Sequence, residues 1–276
     1  MKIIAEGGLE KMRSQLNEVV QYSLPVGKET IPLNILLGKK IRLEYQGMIE
    51  CIYCQRHTKK SFNQGYCYPC FHSLARCDSC IMSPEKCHYA LGTCREPDWA
   101  QNHCLVDHIV YLSNTSGPKV GITRASQIPT RWIDQGAIQA LPLMTVKSRR
   151  ESGLVEHLFK DHIADKTSWQ AMLKGGVEAQ DLLALRDKLL SLMKEELSVL
   201  KRSFASDSFS LMDQAKVVDI HYPVNTYPEK VKSLDFEKQA VVERVLQGIK
   251  GQYLLLDTGV LNVRKFTAYQ VRLSVA

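Results

Sequence analysis

The sequence predicts an α+β protein, and three features carry that expectation. Runs of β-branched and aromatic residues with short polar breaks occupy both ends of the 276-residue chain. Leucines recur at helical spacing over residues 177–203. All nine cysteines fall between Cys51 and Cys104. Four parts are expected: an N-terminal β segment over 1–50, a zinc-binding module over 51–108, an α/β domain over 109–203 that ends in a long amphipathic helix, and a small antiparallel β domain over 211–276.

Length allows one large domain or two to three small ones. No apolar run approaches the roughly 18 residues needed to cross a bilayer, so no membrane partner is expected. The opening stretch, MKIIAEGGLEKMRSQL, gains charges within its first ten residues, unlike a secretory leader. A net charge of +7 permits a polyanionic partner without requiring one. The odd number of cysteines, in CxxC spacing and with no leader, argues for metal ligands in a reducing cytoplasm and against a disulfide framework. Walker, Rossmann, HExxH and GxSxG motifs are all missing, which removes the common nucleotide, zinc-protease and serine-hydrolase readings.

In the first 50 residues, Leu9 to Val20 has weak amphipathic helix character, and Ile41 to Ile49 alternates as a half-buried strand does. Next come two CxxC pairs, Cys51/Cys54 and Cys67/Cys70, twelve residues apart. Zn²⁺ takes four tetrahedral thiolate or imidazole ligands, and each pair supplies two at bite distance. A segment this short buries little, so the metal stands in for a core. Between and around the pairs lie Arg56, His57, Lys59 and Lys60 with Tyr53, Phe62, Tyr66, Tyr68 and Phe71. Cations interleaved with aromatics can follow a phosphate backbone and stack on bases; equally, the rings can pack round the metal with the lysines solvated.

Residues 77–108 hold five more thiols together with the imidazoles of His103 and His108, too many donors for one tetrahedral site. A second zinc is expected. Cys77 and Cys80 form the obvious local pair. The set Cys80, Cys87, Cys104 and His108 would instead tie this segment to the strand that begins at Ile109, with Cys77 and Cys94 in reserve.

Ile109 to Leu112 reads as a buried strand, Asn114 to Pro118 as a turn and Lys119 to Thr123 as a second strand with Gly121 inside it. Thr130 stands where a helix cap would, and Gly136 where the short helix stops. Leu141 to Val146 is a third strand. Ser152 to Ala164 is a helix with Leu154, Val155, Leu158, Phe159 and His162 on one face and Glu156 on its flank. Arg124, Arg131, Lys147, Arg149, Arg150 and Lys166 crowd this domain and suit a phosphate-bearing partner. Trp132 and Trp169 read as core.

The strand–turn–strand–helix run from Ile109 to Gly136 resembles the signature of the GIY-YIG nuclease superfamily. Ile109–Tyr111 stands for its first motif and Lys119–Gly121 for its second, with Arg131 at the helix arginine. Lys119 replaces the second Tyr; a branch of the superfamily with K-I-G-x-T matches KVGIT better. The resemblance implies a GIY-YIG-like α/β domain whose site residues are Tyr111, Lys119, Arg131 and Glu156. Glu156 would hold Mg²⁺ or Mn²⁺, Arg131 would stabilise charge on the scissile phosphate, and Tyr111 would align or activate the nucleophile. Nucleic-acid contacts are expected from Arg56, Lys59, Lys60, Arg124, Lys147 and Arg149. The paired CxxC segment with KVGITR, PTRWIDQGA and DKTSW is also similar to an uncharacterised bacterial family of unknown function.

The functional expectation is therefore a zinc-containing nucleic-acid-binding protein, either a divalent-metal-dependent endonuclease or a binding module without chemistry. A zinc-stabilised protein-interaction scaffold is the rival class. The expected partner is DNA or RNA.

Overall fold

The strand His108–Asn114 is buried along its whole length. Its side chains alternate between two cores, as strand periodicity requires. Ile109 and Tyr111 join a core with Leu43, Trp132, Leu246 and Phe266, while Val110 and Leu112 pack against Val155, Phe159, Leu189 and Leu197. Those two cores organise the computed structural model, which describes all 276 residues.

The strand pairs antiparallel with Pro118–Arg124 on one side and Gln139–Val146 on the other. Two short strands, Phe209–Leu211 and Val218–Asp219, extend the same sheet from Gln139–Val146. Residues 209–219 thus join the hairpin sheet, across the boundary expected at 211.

A second sheet draws on both ends of the chain. Its order is Lys2–Gly8, Tyr269–Val275, Lys40–Glu50, Val241–Lys250, Tyr253–Leu256 and Gly259–Asn262. Lys2 faces Val275 and Glu44 faces Val241 in antiparallel register. The segments expected as separate N- and C-terminal β units therefore share one sheet and one core. Alternation marks a strand's buried face but not its partner, so composition could not join them. The Arg13–Gln15, Gln21–Val26 and Glu29–Pro32 strands form a small third sheet. Leu9, Met12 and Val20 are buried there without being helical. Their helix-like spacing comes from a winding chain pinned by pairing, for example Leu9 N–H to Tyr269 O at 2.9 Å.

The helices cover the other face of the hairpin sheet. Arg149–Phe159 starts at Ser148, whose Oγ accepts from the Glu151 N–H and donates to the Glu151 carboxylate at 2.9 Å, in the Ser-x-x-Glu pattern that fixes helix starts. It begins and ends earlier than the 152–164 span expected. The leucine-rich stretch forms two helices, Leu182–Leu192 and Lys194–Arg202, joined at the buried Met193. A one-residue bend leaves the i, i+4 spacing of Leu189, Met193 and Leu197 intact, so the pattern cannot register it. The short helix Thr130–Asp134 is followed by Gly136 at φ 73°, the left-handed stop its glycine suits. Trp132 is core, whereas Trp169 stands partly exposed and stacks on Tyr253 at 5.9 Å. No helix is long and apolar enough to cross a membrane.

Gly121 lies directly opposite Tyr111 across the hairpin. A Cβ built there would sit 2.8 Å from the Tyr111 ring and hydroxyl, so only glycine lets the ring lie against the strand. Gly121→Ala is expected to destabilise the protein by about 1–3 kcal/mol, as overpacking does. Denaturant unfolding of the variant beside wild type measures it; equal midpoints would show that Tyr111 moves aside freely.

Candidate functional site

Cys51 follows the end of the Lys40–Glu50 strand, and Cys54 closes the tight turn after it. That turn carries a Gln55 N–H to Cys51 O bond of 2.9 Å. Cys67 caps the Tyr68–Ser73 helix, which places Cys70 inside the first turn. The four sulfurs all lie within 4.8 Å of one another, and Cys54 and Cys67 Sγ are 3.6 Å apart. Tetrahedral Zn–S bonds of about 2.3 Å would put sulfurs about 3.8 Å apart, so the cluster fits the ion. All nine cysteines are free thiols.

The electrostatics of the cluster suit a cation. Burial opposes ionisation of Cys51, but the backbone N–H groups of Cys54, Cys67 and Tyr53 outweigh it and bring the thiol down to about 6. Burial and the neighbouring sulfurs push Cys70 the other way. One thiolate is favoured and a crowd of them is not, which a bound divalent ion reverses. Four cysteines this close can hold a structural zinc.

The rings of the module are largely occupied with one another. Phe62 stacks on Phe71 at 5.6 Å and meets Tyr68 edge-on at 5.5 Å, with Lys60 Nζ over the Phe62 ring. Arg56 and Lys59 are exposed.

A second feature is a cleft of about 400 Å³ beside the hairpin. The Pro118–Arg124 strand gives it Lys119 and Arg124, the short helix gives Arg131, and the Arg149–Phe159 helix gives Arg149 and Glu156. Lys11 and Arg264 reach it from the terminal segments. Of the expected site residues, Lys119, Arg131 and Glu156 share this cleft, and so do Arg124 and Arg149. Tyr111 does not open onto it. It is fully buried behind Gly121, and its hydroxyl donates to Gln135 Oε1 at 2.9 Å. Gln135 in turn lines the cleft. Lys147 points its charge elsewhere, pairing with Asp107 at 3.1 Å, and Arg56, Lys59 and Lys60 belong to the cysteine module. Sequence reasoning missed Lys11 and Arg264, which carry no local signal because the fold alone brings them in.

Burial sets the charge states in the cleft. It brings Lys119 down to about 8, helped by Arg131 and opposed by Glu156 and Asp165. It raises Glu156, against the pull of Lys160, Arg149 and Arg131. It pushes Tyr111 up to about 12, although Arg131 works the other way. Glu156 has only a long 3.9 Å contact to Lys160, which is closer to Asp165 at 3.2 Å. None of Lys119, Arg124, Arg131, Arg149 or Arg264 makes an ion pair. The cleft opens into a larger groove of about 1450 Å³ that shares Lys11, Arg131 and Arg264 with it and runs past Cys51, Ile52 and Arg76.

His108, expected as a zinc ligand, is fully buried at the start of its strand. Its Nδ1 lies 2.7 Å from Val106 O, its Nε2 has no partner, and burial brings its pKa down to about 4. Cys80, Cys87, Cys94 and Cys104 line a pocket that His108 does not reach, while Cys77 packs with Cys51, Cys67 and Cys70.

Fold and site together define a mixed helix-and-sheet protein with a four-cysteine cluster at metal-binding distance. The chain belongs to DUF2797, a protein family of unknown function, which it matches over residues 38–271. No curated protein and no solved structure matches it.

Elemental analysis is expected to find zinc at Cys51, Cys54, Cys67 and Cys70, with Cys54→Ser losing about one equivalent per chain. Unchanged zinc in that variant would remove the cluster as the metal site.

Proposed function

We propose that the protein binds nucleic acid through the hairpin cleft, which engages a backbone phosphodiester in the manner of a GIY-YIG-like domain. One observation carries this: five cations converge on a single cleft with no carboxylate pairing any of them. Burying unpaired charge costs several kcal/mol, roughly, per group, so such groups are kept where an anion completes them. Bidentate guanidinium forks match phosphate oxygens. The continuous groove gives a strand room to extend from the cleft towards the cysteine module.

In the hydrolytic form of this reading, Glu156 supplies the carboxylate for Mg²⁺ or Mn²⁺ and Arg131 stabilises charge on the phosphate. Tyr111 serves through Gln135, which its hydroxyl holds in place. At about 12 it keeps its proton at neutral pH, so it does not act as the base. Lys119, at about 8, has a neutral fraction close to neutrality. Its neutral amine can accept the proton of an attacking water, while the leaving oxygen takes up a proton from solvent as the ester P–O bond breaks. A second reading, a binding module without chemistry, is favoured by the same buried, capped tyrosine.

Titration with single- and double-stranded DNA and RNA at several salt concentrations tests the binding. Affinity is expected to fall steeply with salt, and Lys119→Ala to reduce the log–log slope by about 1. No binding at low salt would favour the protein-interaction scaffold.

The pH dependence has a worked sign. Lys119 is charged below about 8 and neutral above it, facing Arg131, Glu156 and Asp165. Affinity should therefore weaken as pH rises through about 8, and Lys119→Arg should flatten that profile. In a cleavage assay with Mg²⁺ or Mn²⁺, turnover of bound substrate should instead rise with pH. It should do so at higher pH than the affinity change, because a bound phosphate holds the Lys119 proton more tightly. Glu156→Gln should abolish turnover. Arg131→Ala should slow it by roughly 10²–10³. Binding with no cleavage of any substrate would select the second reading; cleavage that survives Glu156→Gln would remove Glu156 from the metal's role.

A further inference from the structure

Residues 78–104 have almost no apolar core of their own. None of them belongs to any of the four hydrophobic clusters, and their elements are three short 3-10 turns and one seven-residue helix. Cys80 sits in the Ser79–Ile81 turn, Cys87 ends the Pro84–Lys86 turn, Cys94 lies in a loop and Cys104 ends the Pro97–His103 helix. These four thiols, far apart in the fold's local structure, all line one pocket of about 20 Å³. A water-sized sphere needs about 10–15 Å³, so the pocket has room for one small occupant. A coreless segment whose four thiols surround a space of that size has the chemistry of a metal-organised module.

We infer that Cys80, Cys87, Cys94 and Cys104 form a second tetrathiolate site for a soft divalent ion such as zinc. Nearby donors are committed elsewhere. Asp78, Cys80 and His88 also approach one another within 4.8 Å. However, the Asp78 carboxylate accepts from Arg95 Nε at 2.9 Å and lies 3.3 Å from His88 Nε2, while His88 Nδ1 meets Thr93 Oγ1 at 2.7 Å. Asp78 and His88 therefore brace the turn that carries Cys80. The thiols ring the pocket more loosely than the first cluster does, and binding draws them to about 3.8 Å from one another, the tetrahedral spacing.

The site has a structural consequence for the cleft. Arg149 N–H donates to Cys104 O at 2.7 Å, and Arg149 Nη2 donates to Ile81 O at 2.6 Å. Gly153 packs so closely that a Cβ there would lie 2.6 Å from Pro84 Cβ. Ile81, Met82 and Pro84 form one wall of the cleft, and the helix that carries Arg149 and Glu156 forms another. The second ion fixes the first wall against the second. This holds whether or not the cleft binds nucleic acid.

The test is metal stoichiometry on the full chain, by elemental analysis and by cobalt substitution. Wild type should carry about two equivalents. Cys87→Ser and Cys94→Ser should each lose one, with the Cys51 cluster still filled, while His108→Gln should keep both. Should a serine variant fail to fold, cobalt titration of wild type reads the same point. Two equivalents should bind with tetrahedral d–d bands and the thiolate charge-transfer intensity of eight sulfurs. One equivalent in wild type, or charge transfer from only four sulfurs, would overturn the second site. So would two equivalents that survive Cys94→Ser but not His108→Gln.

Discussion

The strand His108–Asn114 is buried on both faces, and much of the molecule answers to that constraint. One face needs a cover of helices and the other a second sheet, because a strand apolar on both sides cannot stop at a single layer. The sheet built from the two chain ends supplies one cover and the helices of residues 149–202 the other. The cleft opens at the edge where these layers meet, which is why Lys11 and Arg264 join residues of the hairpin. Tyr111 shows how tight the arrangement is. Its ring fills the space that a side chain at position 121 would take, and its hydroxyl reaches Gln135.

Charge in the cleft works against folding stability. Desolvation disfavours the charged forms of Lys119, Arg149 and Arg264. A protein selected only for stability would pair them or replace them with apolar groups of similar volume. Acid groups were at hand: Asp134 takes Lys11 at 3.0 Å and Gln252 at 2.8 Å, yet no carboxylate pairs with the arginines. An anionic partner is the simplest physical reason for that arrangement.

Particular residues show what the sequence could and could not tell. Ile109–Leu112 and Lys119–Thr123 announce a hairpin because β-branched runs flank a Gly-Pro turn, and both strands are present. The first four cysteines announce their cluster because two CxxC pairs encode bite distance locally. Cys94 could not be separated from His108 in this way. With six, six and nine residues between them, Cys80, Cys87, Cys94 and Cys104 carry no local geometry, so only the folded chain shows which donors share a pocket. The joining of Lys2–Gly8 to Tyr269–Val275 was hidden for the same reason, since strand pairing between chain ends leaves no trace in either strand's composition.

The central claim is that the cleft, not the aromatic face of the cysteine module, meets the phosphate backbone. Photo-crosslinking of a halogenated oligonucleotide to the full chain, followed by peptide mass mapping, tests it most directly. The expected result is crosslinked peptides that carry Lys119 to Gln135 together with the segment around Arg264. Crosslinks confined to Tyr53–Tyr68, with the hairpin and Arg264 untouched, would contradict it.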